Sequence, residues 1–368
     1  MRLVVRSSIV ILLAVLARPA VGRDLYVNNQ SGDDGATGHQ PRVMPDRTGP
    51  VKTIVKALRL AQNGDRVVLA ATGQPYRESV SFVGSRNGGT PSQRFVLQGS
   101  GAILDGSAPV PAYAWEHYRG AVFRFRPLNA EYQQLFFEDR PLTRVFASRF
   151  ADAPPKLDPR QWCLHNGYIY FCVERDKLPQ DYRLTCAQKQ TGITLFHVEC
   201  LTIVNLTVQG FQIDGISAFN SARLVTLEGV TCRGNGRSGV SVGGASLVDL
   251  DRCVIGNNGM AQLLTEPLSE THVRQSQLFS NTAPAWVDRG GKVSIDGKAV
   301  QGGLDERKTA SGKSSAQPNH GPEGDRHIFR PETGQKMSQS PPHERLPSAQ
   351  PNRDATADRP IPRPARNR

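Results

Sequence analysis

The chain has 368 residues, 38% of them hydrophobic, and a formal net charge of +12. Three arginines before residue 23 and an excess of four basic groups over residues 304–368 carry seven of those charges, leaving +5 on the rest. That mild excess suits a polyanionic polymer, while no basic helix, zinc spacing or aromatic–basic ribonucleoprotein motif points to nucleic acid.

Arg2 and Arg6 precede the apolar run Ile9 to Leu16, and Ala20-Val21-Gly22 offers small residues for cleavage. Residues 1–22 read as a secretory signal, with an uncleaved anchor as the alternative. The run is too short to span a bilayer, and no later segment is long enough, so no membrane span is expected. The expected location is extracellular, periplasmic or on the cell surface.

Residues 23–106 open with the strand pattern Asp24-Leu25-Tyr26-Val27. From Val51 to Ala61, Ile54, Ala57, Leu58 and Ala61 recur at helical spacing, which predicts a helix with one apolar face. Such a helix would cover an open strand edge. Val67 to Leu69, Val80 to Val83, Phe95 to Leu97 and Ile103-Leu104 supply short strands beyond it. Residues 107–188 lose this rhythm. Val122 to Phe125, Leu135 to Phe137 and a hairpin turned at Asn166-Gly167 predict an antiparallel, β-rich insertion. In that hairpin Cys163 faces Tyr170, so a bridge to Cys172 would be strained.

Over residues 189–300 the chain repeats itself. Gly192-Ile193-Thr194-Leu195, Gly215-Ile216-Ser217-Ala218 and Gly239-Val240-Ser241-Val242 recur at spacings of 23 and 24, and Gln262-Leu263-Leu264-Thr265 follows after another 23. Two further short runs lie between each pair. Three strands of period two in each 23–24 residues describe one coil of a parallel β-helix, and stacking of coils buries a continuous core. Cys232 and Cys253 fall at inward positions and read as core. The expected fold is therefore all-β: a short parallel β-helix of about six coils, with a capping helix and the insertion. Residues 301–368 read as a disordered tail rich in proline and arginine, with ten prolines and few apolar residues after Leu304.

The opening Asp24 to Val27, Ser31-Gly32-Asp33-Asp34-Gly35, Gly49-Pro50-Val51-Lys52-Thr53-Ile54, Gly64-Asp65-Arg66-Val67-Val68-Leu69 and Tyr76-Arg77-Glu78, with the later repeats, resembles secreted right-handed parallel β-helix proteins of the pectate-lyase-like superfamily, which implies right-handed coils. The stretch Gln134-Leu135-Phe136 with Arg140-Pro141 is similar to an insertion found in glycan-acting β-helix families. The resemblance implies a polysaccharide partner lying along the outer face of the first strand of each coil. The outward positions there are Thr194, Ser217, Ser241 and Leu264. Lys189, Gln190, Asp214, Asn235 and Arg237 flank one side, and His197 and Asn220 the other.

A uronate lyase or epimerase must neutralise a carboxylate and accept the C5 proton. Arg237 or Lys189 can neutralise, and His197 or Lys189 can accept. Asp214 can instead join a calcium site, where hard oxygen ligands are needed, and calcium is the one cofactor these residues suggest. A glycosidase needs two carboxylates, and only Glu131, Glu138 or Asp139 of the insertion offer Asp214 a partner. The candidate catalytic set is Lys189, His197, Asp214 and Arg237, and the candidate substrate-binding set is Ser217, Asn220, Asn235 and Ser241. The polygalacturonase, pectate-lyase and alginate-epimerase signatures are all missing. The leading expectation is a polyuronate lyase or epimerase; the alternative is a non-catalytic protein that binds glycan or protein partners. Glu228, Asp251 and Arg274, one coil apart, are expected to form an exterior charge ladder.

Overall fold

The computed structural model describes residues 22–302 except 139 and 149. The expected signal and tail, apart from a few boundary residues, and Asp139 lie outside the described residues. Three parallel sheets form the walls of a β-helix. The six-stranded wall runs Val80–Val83, Ile193–Phe196, Asp214–Phe219, Ser238–Val242, Ala261–Thr265 and Trp286–Asp288, each strand beside the next. A nine-stranded wall and a five-stranded wall complete each coil.

The register follows the repeat. Ile193 pairs with Val80 and Ile216, Ile216 with Val240, and Val240 with Leu263. All five are at most 1% exposed and form one interior column. Burying one such side chain contributes about 1.5–3 kcal/mol, so the stacked columns hold the coils together. The exterior ladder also forms: Glu228 pairs with Asp251 and Asp251 with Arg274, and Arg252 bridges Glu228 and Asp251.

The capping helix is shorter than the apolar spacing suggests, running Ile54–Leu60. The Thr53 hydroxyl accepts from Lys56 N–H and so fixes the helix start. Asp34 accepts from Lys52 N–H, Thr53 N–H and the Thr53 hydroxyl. Glu78 accepts from Ile54 and Val55 N–H at 3.0 Å each. The acidic residues of both opening motifs thus tie the helix over the first coil. Burial pushes the Glu78 carboxyl above its ordinary range.

At the other end the sequence shows no amphipathic cap, but the structure has a closing hairpin. Lys292–Ile295 turns back as Lys298–Val300 through Asp296 and Gly297, both in the left-handed region. An Asp-Gly pair between two short strands is the chemistry of that turn.

The insertion comprises two four-stranded antiparallel sheets around Phe125, Leu135, Trp162, Phe171 and Tyr182. Its segment 132–134 lies directly on the coils. A methyl group at Gly236 would sit 1.6 Å from the Tyr132 carbonyl oxygen, and one at Gly259 2.8 Å from Gln134 Nε2. Cys163 pairs with Tyr170, and all six cysteines are free thiols. Burial pushes the thiols of Cys163, Cys186 and Cys253 up to about 11, which keeps them protonated and unreactive.

Candidate functional site

The expected site divides into two groups at opposite ends of the six-stranded wall. Asp214 and Arg237 lie where the strands begin, and His197 and Asn220 lie where they end. A strand advances about 3.3 Å per residue, so the five steps from Asp214 to Phe219 separate the groups by roughly 16 Å. One sugar ring cannot meet both.

Asp214 is the clearest correction. Its side chain is 1% exposed, and both carboxylate oxygens are engaged by Arg237. Ser238 Oγ–H also donates to Asp214 Oδ1 at 2.7 Å. Asp214 shares the inward parity of Ile216, so its carboxylate anchors Arg237 and offers nothing to calcium or to a scissile bond. The hydrogen bonds to Asp214 hold the Arg237 guanidinium above its ordinary pKa, and Glu266 and Tyr132 add to this through their charge. Among the described residues, no group of three or more His, Cys, Asp or Glu could hold a metal ion.

Asn235 is the second correction, being wholly enclosed rather than lining a groove. Its Oδ1 accepts from Phe211 N–H at 3.1 Å, and its Nδ2 donates to Asn258 Oδ1 at 3.0 Å and to Val208 O at 3.3 Å. Asn258 repeats the arrangement one coil on, with Gln262 as its partner. The pair is an internal asparagine ladder that satisfies backbone groups at a tight corner. Asn235→Ala is expected to cost about 1–3 kcal/mol, because the buried Phe211 N–H loses its partner; a urea unfolding curve measures it. An unchanged midpoint would refute the ladder's role.

Ser241 faces outward by alternation, yet it is only 5% exposed, and its neighbour Leu264 is buried as well. The outer face is therefore open chiefly over the first coils, where Ser81 is exposed and Thr194 and Ser217 are half-buried. Lys189 is half-buried on the turn that returns from the insertion, close enough to Glu78 to favour its ionised form. His197 and Asn220 are exposed, with His197 N–H donating to Asn220 O at 3.1 Å.

Three further residues stand out on the open face. Val83, Phe196 and Phe219 pair in register along one outward row, each more than a third exposed. The phenyl centroids are 5.7 Å apart, and the His197 ring lies 4.4 Å from Phe196. The row runs beside the hydroxyls of Ser81, Thr194 and Ser217. Its sequence signal was the 23-residue spacing of the two phenylalanines at outward parity.

Residues 191–297 match the family model described as right handed beta helix region. No curated protein matches in sequence. Among solved structures, a glycoside hydrolase is similar at a TM-score of 0.50 and 10% identity, over 69% of this chain and 73% of that one. Pectate lyase Pel9A is similar at a TM-score of 0.37 and 11% identity, over 74% and 58%. The GH136 lacto-N-biosidase from Eubacterium ramulus gives 0.34 and 13%, over 69% and 43%. Identities this low speak to the fold alone. Through its coils, the chain folds as a right-handed parallel β-helix, the region that the family model describes.

Proposed function

We propose that this protein is carbohydrate-active and holds a polysaccharide along the outer face of its six-stranded wall, over the first three coils. The observation that carries the reading is the exposed Phe196–Phe219 pair, set edge to face beside a floor of hydroxyls. Sugar rings present a face of C–H groups and a rim of hydroxyls, and an aromatic row beside serine and threonine matches both. The mild basic excess and Lys189 at the floor's edge favour an acidic polymer. A polymer of that kind also accords with the export expected from residues 1–22.

For the reaction, the finer proposal is a polyuronate lyase or epimerase with His197 as proton acceptor, since its ring touches the stacking row. Asp214 has no part in it, and Arg237 is committed to Asp214. Binding without turnover is the second reading. It is favoured by the separation of His197 from Arg237, the cation expected to neutralise the carboxylate, and by the commitment of Arg237 to Asp214.

Incubation with alginate, pectate and glycosaminoglycans, with and without calcium, separates these readings. Unsaturated products seen by absorbance, or deuterium exchange at C5, are expected for the first. Retention in affinity electrophoresis without either signal supports the second. Failure to retain any polymer in the panel overturns the proposal.

A further inference from the structure

The outer face is closed at one end. Val80–Val83 is the terminal strand of the six-stranded wall, and the capping helix stands next to it in place of another coil. Between helix and strand lies a recess of about 370 Å³, within the range of small-molecule sites. Val55 and Leu58 line it from the helix, Ser81 and Val83 from the strand, and Ser79 from the residue before it.

Its walls are fixed by the fold. Asn87, 3% exposed, donates from Nδ2 to Leu58 O at 3.0 Å and pins the loop after Val83 to the helix. Gly64 N–H donates to Gly88 O at 2.8 Å, and Gly88 N–H to Asn63 Oδ1 at 3.2 Å. A recess tied on both sides is preformed, so a ligand entering it meets little ordering cost.

Two guanidiniums, Arg59 and Arg86, belong to its lining, and no carboxylate does. Both arginines are exposed, and neither forms an ion pair among the described residues. Arg66, on the strand that follows the helix, is by contrast matched to Asp24. The recess therefore combines unmatched positive charge, serine hydroxyls and an apolar floor. Guanidinium forks match carboxylate and sulfate oxygens, the serines match sugar hydroxyls, and Val83 and Leu58 suit a C–H face. Val83 continues in register into Phe196, one strand spacing of about 4.8 Å away, so the recess opens onto the aromatic row.

We propose that the recess receives the terminal sugar of an anionic polysaccharide, its acidic group taken by Arg59 and Arg86, so that the glycan is recognised from its end. This rests on the reading that glycan lies along the face. Because the helix blocks continuation, an internal sugar would have no path for the next residue.

The test uses the full chain and two variants at exposed side chains, Arg59→Gln and Arg86→Gln, whose melting curves check that they fold. Short oligogalacturonates, which carry carboxylate alone, and short carrageenan oligosaccharides, which carry sulfate alone, are titrated by calorimetry. Affinity for one of these probes is expected to fall about tenfold per variant, and the probe affected identifies carboxylate or sulfate. Equal masses of the corresponding polymer, intact and partly depolymerised, are then compared. Binding capacity is expected to rise with the number of chain ends. Capacity that follows mass alone, or affinities unmoved by both variants, overturns the chain-end inference. Phe196-dependent retention of polymer in that case leaves the reading of the face standing. Absence of all glycan binding removes both.

Discussion

Asp214→Ala is expected to destabilise the protein by about 3–5 kcal/mol, because it strands a partly buried guanidinium and removes the acceptor of the Ser238 hydroxyl. The side chain of Arg237 is 24% exposed, so part of its charge can recover hydration, which places the loss toward the lower end of that range. Arg237→Ala leaves the carboxylate, at 1% exposure, without its cation, and it should cost at least as much. The double variant with Leu at 214 and Met at 237 removes both charges and should recover a large part of the loss. Denaturant unfolding of the wild type, both single variants and an alanine double variant gives the coupling energy directly. A coupling near zero would contradict the anchoring role. So would an Asp214→Ala protein of unchanged stability that had lost an activity, since that pattern belongs to a catalytic carboxylate.

That pair also shows where the sequence was legible and where reading stopped short. Ile193, Ile216, Val240 and Leu263 could be placed in one column because a constant 23–24-residue period and strict alternation leave no other way to bury them. The same parity extended one step back puts Asp214 on the inward side with Ile216, and Ser238 with Val240. A charged residue beside Gly215 read as a turn, however, and the alternation was not carried through it. Asn235 was hidden for a different reason. It sits past Gly234, which is left-handed at φ 63°, so the corner resets which way the next side chain points. Period two holds no information across such a bend.

The recess next to the helix was beyond reach because its lining comes from Val55 to Arg59 and from Ser79 to Asn87. Only the packing of the helix against the first coil brings these together. Likewise, Glu78 reads in sequence as a motif residue without a task. Its two bonds to helix N–H groups become visible only once strand and helix are stacked.

Removing the aromatic row should have the largest effect on binding. Phe196→Ala and Phe219→Ala are each expected to weaken polysaccharide binding about tenfold, and the two together about a hundredfold, as is usual for aromatic anchors at recognition surfaces. The rings are 36% and 37% exposed and stand outside the hydrophobic core of the coils, so the melting temperature should stay close to the wild-type value. Phe→Tyr at either position keeps the ring face and should stay within a few-fold of wild type. That pattern separates stacking from a general loss of shape. Retardation in polymer-containing gels, read across a concentration series, measures all of these on one scale. A double alanine variant that migrates like the wild type would show that the row is not where glycan lies. A variant that loses binding and melting temperature together would assign the rings to packing between the coils. Binding lost at constant stability, and kept by tyrosine, is the result the exposed row calls for.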